Sequence, residues 1–176
     1  VGLPTVLVTD LLGRGRVVSA SQMRRYAHRT IFTPENTVII FDIDGVILSR
    51  GMLKKRKKML IGIEDIILIL KGRGYRIDGA TNNKQKRVEY YVRKFAIFKC
   101  FSRIKCITSR KDKKKPSSEY FQDYINRFAD PEKPNLIFFD DSLDNVVAAR
   151  RNGFIAIHYQ DAEQAYAELQ SIGIVP

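Results

Sequence analysis

The stretch that most constrains the fold is Val38-Ile39-Ile40-Phe41-Asp42-Ile43-Asp44-Gly45-Val46. An apolar run of strand-forming residues leads straight into two carboxylates spaced by one residue, and a glycine then turns the chain. A continuous apolar run is the pattern of a parallel strand buried on both faces. Asp42 and Asp44 then stand at the carboxyl end of that strand, where open α/β sheets place their ligands. Two acids there can hold a divalent cation, or divide into a nucleophile and an acid/base. Asp-x-Asp-Gly also occurs in calcium loops and plain turns, but the apolar run before it argues against a surface loop.

Downstream, strand and helix patterns alternate. Ile63 to Leu70 is almost wholly apolar, led by Glu64 and Asp65 and closed by Gly72 and Gly74, which predicts a largely buried helix. Tyr75–Thr81 reads as a strand with Asn82 and Asn83 in the turn beyond it. The spacing of Val88, Tyr91, Val92 and Phe95 predicts a helix over about Lys84–Phe98. Arg103–Thr108 is a third strand, followed by a charged loop, Arg110–Lys115. After Pro116 comes a helix with Tyr120, Phe121, Tyr124, Ile125 and Phe128 turned inward as core. Asn135–Asp141 is a fourth strand that again ends in acids. Ser142 is placed to cap the next helix, which Gly153 closes, and Phe154–His158 is a fifth strand. Asp161-x-x-Gln164 has the form of a capping box for the last helix. The alternation predicts an α/β protein: a Rossmann-like three-layer sandwich around a parallel sheet of about five strands.

At 176 residues the chain is long enough for one well-buried domain and short for two. Residues 1–36 read as an N-terminal arm, and 37–176 as the domain. The arm's basic residues are all arginine (Arg14, Arg16, Arg24, Arg25, Arg29), and its acids are Asp10 and Glu35. That composition fits a transit peptide, but a flanking arm with a short helix over about Ser19–Arg29 is the preferred reading. The chain opens on Val1 and not Met, which leaves room for a segment before it. No apolar run approaches the length that spans a bilayer. Cys100 and Cys106 make no disulfide framework and fit no common zinc spacing, so a reducing, cytoplasmic setting is expected. The net charge of +12 implies attraction to phosphates, acidic peptides or anionic surfaces without choosing among them.

Asp42-Ile43-Asp44-Gly45-Val46 resembles motif I of the haloacid dehalogenase superfamily. The family's other motifs follow in order, each at an expected strand end. Thr81, with Asn82 after it, matches the second. Lys115-Pro116 matches the third, and Asp140-Asp141-Ser142-Leu143-Asp144-Asn145 the fourth. The resemblance covers about residues 37–172.

The resemblance implies that Asp42 attacks phosphorus to form an aspartyl-phosphate, and that Asp44 serves as general acid and then base. Thr81, Asn82 and Lys115 would bind phosphoryl oxygens, and Lys115 would offset negative charge. Mg2+ would sit on Asp42, the backbone carbonyl of Asp44 and Asp141, with Asp140 and Asn145 in support. Because Asp44 is present, the pattern fits a phosphatase and not a dehalogenase. Only about 35 residues separate Asp44 from Thr81, and about the same number separate Thr81 from Lys115, which leaves no room for a cap domain. An open site favours a phosphorylated macromolecule, a phosphoprotein first and phosphotyrosine foremost. The basic run Arg50, Lys54, Lys55, Arg56, Lys57 and Lys58 falls in the flap beside the site, as an electrostatic guide. Three rivals remain: a nucleic-acid end phosphatase, a small-metabolite phosphatase lidded by a second subunit, and a non-catalytic basic binding module.

Overall fold

Burial on both faces decides where Thr37–Phe41 goes: every residue of that strand is shielded from solvent, and it lies at the centre of a five-stranded sheet. The computed structural model describes residues 31–51 and 56–176 in full, and residues 5–9 and 15–19 as backbone. In chain order, β1 (Thr5–Thr9) and β2 (Gly15–Ser19) form a separate antiparallel pair. Then follow β3 (Thr37–Phe41), α1 (Ile63–Gly72), β4 (Arg76–Lys84) and α2 (Gln85–Lys94). A 3-10 turn (Ala96–Cys100) leads to β5 (Arg103–Ile107), α3 (Ser118–Phe128) and β6 (Asn135–Asp140). The chain closes with α4 (Leu143–Arg151), β7 (Ile155–His158) and α5 (Ala162–Ser171). The main sheet runs β5-β4-β3-β6-β7, and all its pairings are parallel.

The period of two along each strand sorts the core into two layers. Ile39 and Phe41 of β3, with Ile137 and Phe139 of β6, face Ile63, Ile66 and Ile67 of α1, Val88 and Tyr91 of α2, and Leu169 of α5. Val38 and Ile40, with Leu136 and Phe138, face Tyr120, Phe121 and Tyr124 of α3 and Val146 and Ala149 of α4. The result is the expected three-layer Rossmann-like sandwich. No cap domain interrupts it among the described residues.

Several local expectations shift. The first helix is amphipathic and not largely buried: Ile63, Ile66, Ile67 and Leu70 turn inward, while Leu68 and Ile69 are exposed. β4 runs on through Asn82 and Asn83, because pairing with β5 resumes at Lys84 and Ile107 after an irregularity beyond Ala80. The helix expected to reach Phe98 stops at Lys94. Phe95 is extended (φ −117°, ψ 114°), and the 3-10 turn then buries Ile97 and Phe98. An unbroken helix would carry Ile97 off the face that Val88 and Tyr91 share. Ser142 stands at the N-cap of α4 without a side-chain capping bond. Asp161 does cap α5, accepting from the Gln164 N–H at 2.8 Å, but Gln164 reaches back to the Gln160 N–H and not to Asp161. The helix expected over Ser19–Arg29 lies outside the described residues beyond Ser19, which ends β2.

After β3 the chain turns tightly and then doubles back as a strap. Leu48 N–H donates to the Ile43 carbonyl at 2.8 Å, Ser49 N–H to Lys58 at 2.8 Å, and Leu60 N–H to Ile47 at 2.9 Å. Val46, Ile47 and Leu48 are fully buried, which moors the strap to the core. Residues 52–55, with Lys54 and Lys55, lie outside the described residues.

A buried carboxylate joins the sheet to the layer of α3. Asp78 on β4 accepts from Arg76 Nη2 at 2.5 Å and from the Tyr124 hydroxyl at 2.8 Å. Tyr124→Phe removes one donor to a buried charge and should cost about 1–3 kcal/mol in urea denaturation, with the fold retained. A loss well under that range would mean that Arg76 alone satisfies Asp78.

Candidate active site

From β3 the chain moves outward to β4 and β5, then returns to the other side of β3 as β6. The carboxyl ends of β3 and β6 therefore flank the point where strand order reverses, which is where such sheets open a crevice. Asp42 follows β3 there, its N–H donating to the Phe139 carbonyl at 2.9 Å. Asp140 ends β6, and Asp141 follows it. One carboxylate oxygen from each of Asp42, Asp140 and Asp141 can be chosen so that all lie within 4.8 Å of one another. Gly45 makes room for this cluster. Its φ is +99°, and a Cβ added there would lie 1.8 Å from Asp141 Oδ2. Hard oxygen donors at that separation suit a small divalent cation.

Three carboxylates this close need compensation, and Lys115 supplies it. Its buried ammonium donates to Asp140 Oδ2 at 2.6 Å and to the Ala80 carbonyl at 2.7 Å, and it lies 2.9 Å from Asp42 Oδ1. Burial works against the Lys115 charge, yet Asp42 and Asp140 outweigh it and hold its pKa above the ordinary lysine value. Burial pushes the Asp42 carboxyl up to about 6, with Lys115 opposing the shift and the Asp140 charge adding to it. Asp140 is fully engaged: besides Lys115, it accepts from the Ser142 N–H at 2.9 Å and from Asn145 Nδ2 at 3.0 and 3.1 Å.

Thr81 is buried at the floor, on β4. Its hydroxyl oxygen accepts from Asn83 Nδ2 at 2.9 Å, and the same amide donates to Asp44 Oδ2 at 3.0 Å. Asn82, expected to meet substrate, instead clamps the Lys115 backbone, donating to its carbonyl at 3.0 Å and accepting from its N–H at 2.8 Å. The strap reaches in from above. Lys57 is buried with its ammonium 2.8 Å from Asp44 Oδ1, and it also donates to the Ser49 carbonyl at 2.5 Å. Arg50, largely exposed, donates from Nε to Asp141 Oδ2 at 2.6 Å.

The structure thus brings Asp42, Asp140, Lys115 and Asn145 into one bonded group, with Asp141 beside it in the carboxylate cluster and Thr81 and Asp44 joined through Asn83. Sequence reasoning did not single out Asn83, Lys57 or Arg50. Asn83 stood in an assumed turn, and the two cations were part of an undivided basic run. His158, at the end of β7, lies with Nε2 3.2 Å from the Asp141 carbonyl, a contact the sequence does not announce.

The sequence profile described as haloacid dehalogenase-like hydrolase matches residues 49–158, well over half of the chain. The chain belongs to that family. The matched span runs from the strap to β7 and stops short of Asp42 and Asp44, whose place at the end of β3 comes from the fold. This haloacid dehalogenase-type protein is a hydrolase of the capless kind. No curated protein matches it in sequence. A hydrolase from Streptococcus pneumoniae TIGR4 shares the fold at 11% identity and a TM-score of 0.64, over 77% of this chain and 99% of that one. A haloacid dehalogenase-superfamily hydrolase from Ehrlichia chaffeensis does so at 11% identity and 0.63, over 80% and 99%. A chain of the Pnkp1/Rnl/Hen1 RNA repair complex does so at 11% identity and 0.58, over 74% of this chain and 44% of its own length.

The raised Asp42 pKa makes a signed prediction for the haloacid dehalogenase-type site without divalent cation. Between its ordinary value of 3.8 and about 6, the folded state holds a proton that the unfolded state has released. Stability therefore falls as pH rises through that window. Asp42→Asn lacks this proton, so its stability relative to wild type should improve between pH of about 4 and about 6 and level off above. Urea denaturation of both proteins in a chelating buffer measures it. A difference that does not change with pH would contradict the assignment.

Proposed function

We propose that the protein is a magnesium-dependent phosphomonoesterase that works through an aspartyl-phosphate on Asp42, at an open site suited to phosphorylated macromolecules. The observation that carries this reading is the pairing of one buried ammonium, Lys115, with Asp42 and Asp140 at the two strand ends where the sheet order reverses. A further carboxylate, Asp44, is held by Asn83 and Lys57.

In this mechanism an Asp42 oxygen attacks phosphorus and the ester P–O bond breaks. The departing oxygen takes the Asp44 proton. Asp44 then removes a proton from water, which attacks phosphorus, frees Asp42 and releases inorganic phosphate. Lys115 and Thr81 meet the phosphoryl oxygens, while Asn82 acts indirectly by fixing the Lys115 backbone. Asp42, Asp141 and the Asp44 backbone carbonyl would hold magnesium, with Asp140 and Asn145 in support. The carboxylate cluster and the glycine that makes room for it fit such an ion. Bound there, magnesium supplies positive charge that lets an anionic nucleophile approach an anionic phosphate.

The catalytic unit in this reading is residues 37–176, with 1–36 as an arm. Both cysteines are free, which supports a reducing, cytoplasmic setting. Among the described residues no helix is long and apolar enough to cross a membrane. A macromolecular substrate is favoured because, among the described residues, no cap covers the crevice. One structural neighbour is a chain of an RNA repair complex, which makes a nucleic-acid partner a reading to test beside a phosphoprotein.

Hydrolysis of an aryl phosphate tests the chemistry. EDTA should abolish turnover and magnesium restore it. Asp42→Asn should be inactive, and Asp44→Asn should be slower by roughly two to four decades. Full activity of Asp42→Asn, or indifference to chelation, would overturn the mechanism.

A further inference from the structure

The charge around the mouth of the site is divided in two. Because the sheet is parallel, the loops that follow its strands all emerge at one edge, the edge that carries Asp42. The strap after β3 exposes Arg50, Arg56 and Lys58, and residues 45–62 contain no acid. The turn from β4 into α2 exposes Lys84 and Lys86, and residues 82–88 contain none either. The loop after β5 exposes Arg110, Lys111, Lys113 and Lys114. The loops after β6 and β7 are the reverse: they carry Asp141, Asp144 and Asp161, and residues 141–145 and 159–161 contain no lysine or arginine. The cations thus cover the β3-β4-β5 half of the rim.

The loop after β5 is also a built platform. Its single acid, Asp112, accepts from the Thr108 N–H at 2.7 Å, the Thr108 hydroxyl at 2.8 Å, the Ser109 N–H at 3.0 Å and the Ser109 hydroxyl at 2.7 Å. Those bonds hold the Asp112 carboxyl well below the usual carboxylate range. The loop is folded around its own acid, its cations stand outward, and its next residue is the buried Lys115. The basic platform and the phosphate site are therefore parts of one continuous, internally bonded segment.

We propose that this half-rim binds the backbone of a nucleic-acid strand whose terminal phosphomonoester enters the crevice. The inference rests on the phosphatase reading and names its substrate class. Adjacent strands lie about 4.8 Å apart, so the cations extend over roughly 10 Å from β3 to β5, before the length of the loops is added. A nucleic acid offers a phosphate at every residue along such a track, whereas a peptide offers charge only where its sequence supplies acids. Residues 49–62, 82–89 and 108–117 contain no aromatic side chain, so nothing there stacks on a base or on a tyrosyl ring. Binding is through charge, independent of base sequence and steeply dependent on salt.

Fluorescence anisotropy with Asp42→Asn protein and magnesium tests the proposal. The probes are a single-stranded DNA of about 12 nucleotides with a terminal phosphate, and an acidic phosphotyrosine peptide of equal net charge. The DNA should bind at least about tenfold more tightly, with a log–log salt slope of about −2 to −3.5, as expected for three to five phosphate contacts. In an otherwise wild-type background, Arg110→Glu, Lys111→Glu, Lys113→Glu and Lys114→Glu together should lower kcat/KM on the DNA phosphate by at least about tenfold. The kcat on an aryl phosphate should stay within about twofold, which also shows that the variant folds. Equal or tighter binding of the phosphopeptide, or equal losses on DNA and aryl phosphate, would overturn the proposal. Failure of the wild type to cleave any phosphomonoester would instead defeat the phosphatase reading, and the binding comparison would still decide this one.

Discussion

The buried ammonium of Lys115 is the contact on which the rest of the site depends. It touches Asp42 after β3, the Ala80 carbonyl on β4 and Asp140 at the end of β6, so one charge ties three neighbouring strand ends together. Without it, two buried carboxylates would face each other uncompensated. Uncompensated burial of such a charge costs several kcal/mol, and breaking a buried pair typically costs about 3–5 kcal/mol. The same geometry carries the chemistry. In the proposed reaction acids gather around an anionic phosphate, which needs fixed positive charge, and here that charge is built into the fold.

The remaining parts are arranged around that centre. Asn82 holds the Lys115 backbone from both sides, Asn145 and the Ser142 N–H take up the other acceptor positions of Asp140, and Gly45 leaves space for Asp141. The strap adds two further cations, Lys57 on Asp44 and Arg50 on Asp141. The basic run is therefore not uniform. Lys57 is buried in the site, while Arg56 and Lys58 on either side of it face solvent.

Much of the fold was legible because burial on both faces writes a continuous apolar run. Val38–Phe41 and Leu136–Phe139 could be little else than central parallel strands, and acids directly after each run had to meet at their shared edge. What the sequence hid was decided by pairing between distant segments. Lys57 turns inward because Ser49 pairs with Lys58, which fixes the alternation of the strap, and no local pattern announces that register. The apolar pattern ends the strand at Thr81, which puts Asn83 in a turn. The irregular pairing of β4 with β5 extends the strand and carries Asn83 to a position between Thr81 and Asp44. The break at Phe95 was hidden for a similar reason: Val88, Tyr91 and Phe95 keep helical spacing, while the demand to bury Ile97 comes from the core.

The central claim is that Asp42 becomes covalently phosphorylated. It is tested most directly by acid-quenching Asp44→Asn protein during turnover of an aryl phosphate, whose good leaving group needs little help from Asp44. Reducing the product with borohydride then converts an acyl phosphate, but not a free carboxylate, into a stable alcohol that peptide mass spectrometry can place. The account predicts homoserine at position 42, dependent on both substrate and magnesium. Modification at another residue, or none while turnover continues, would contradict it.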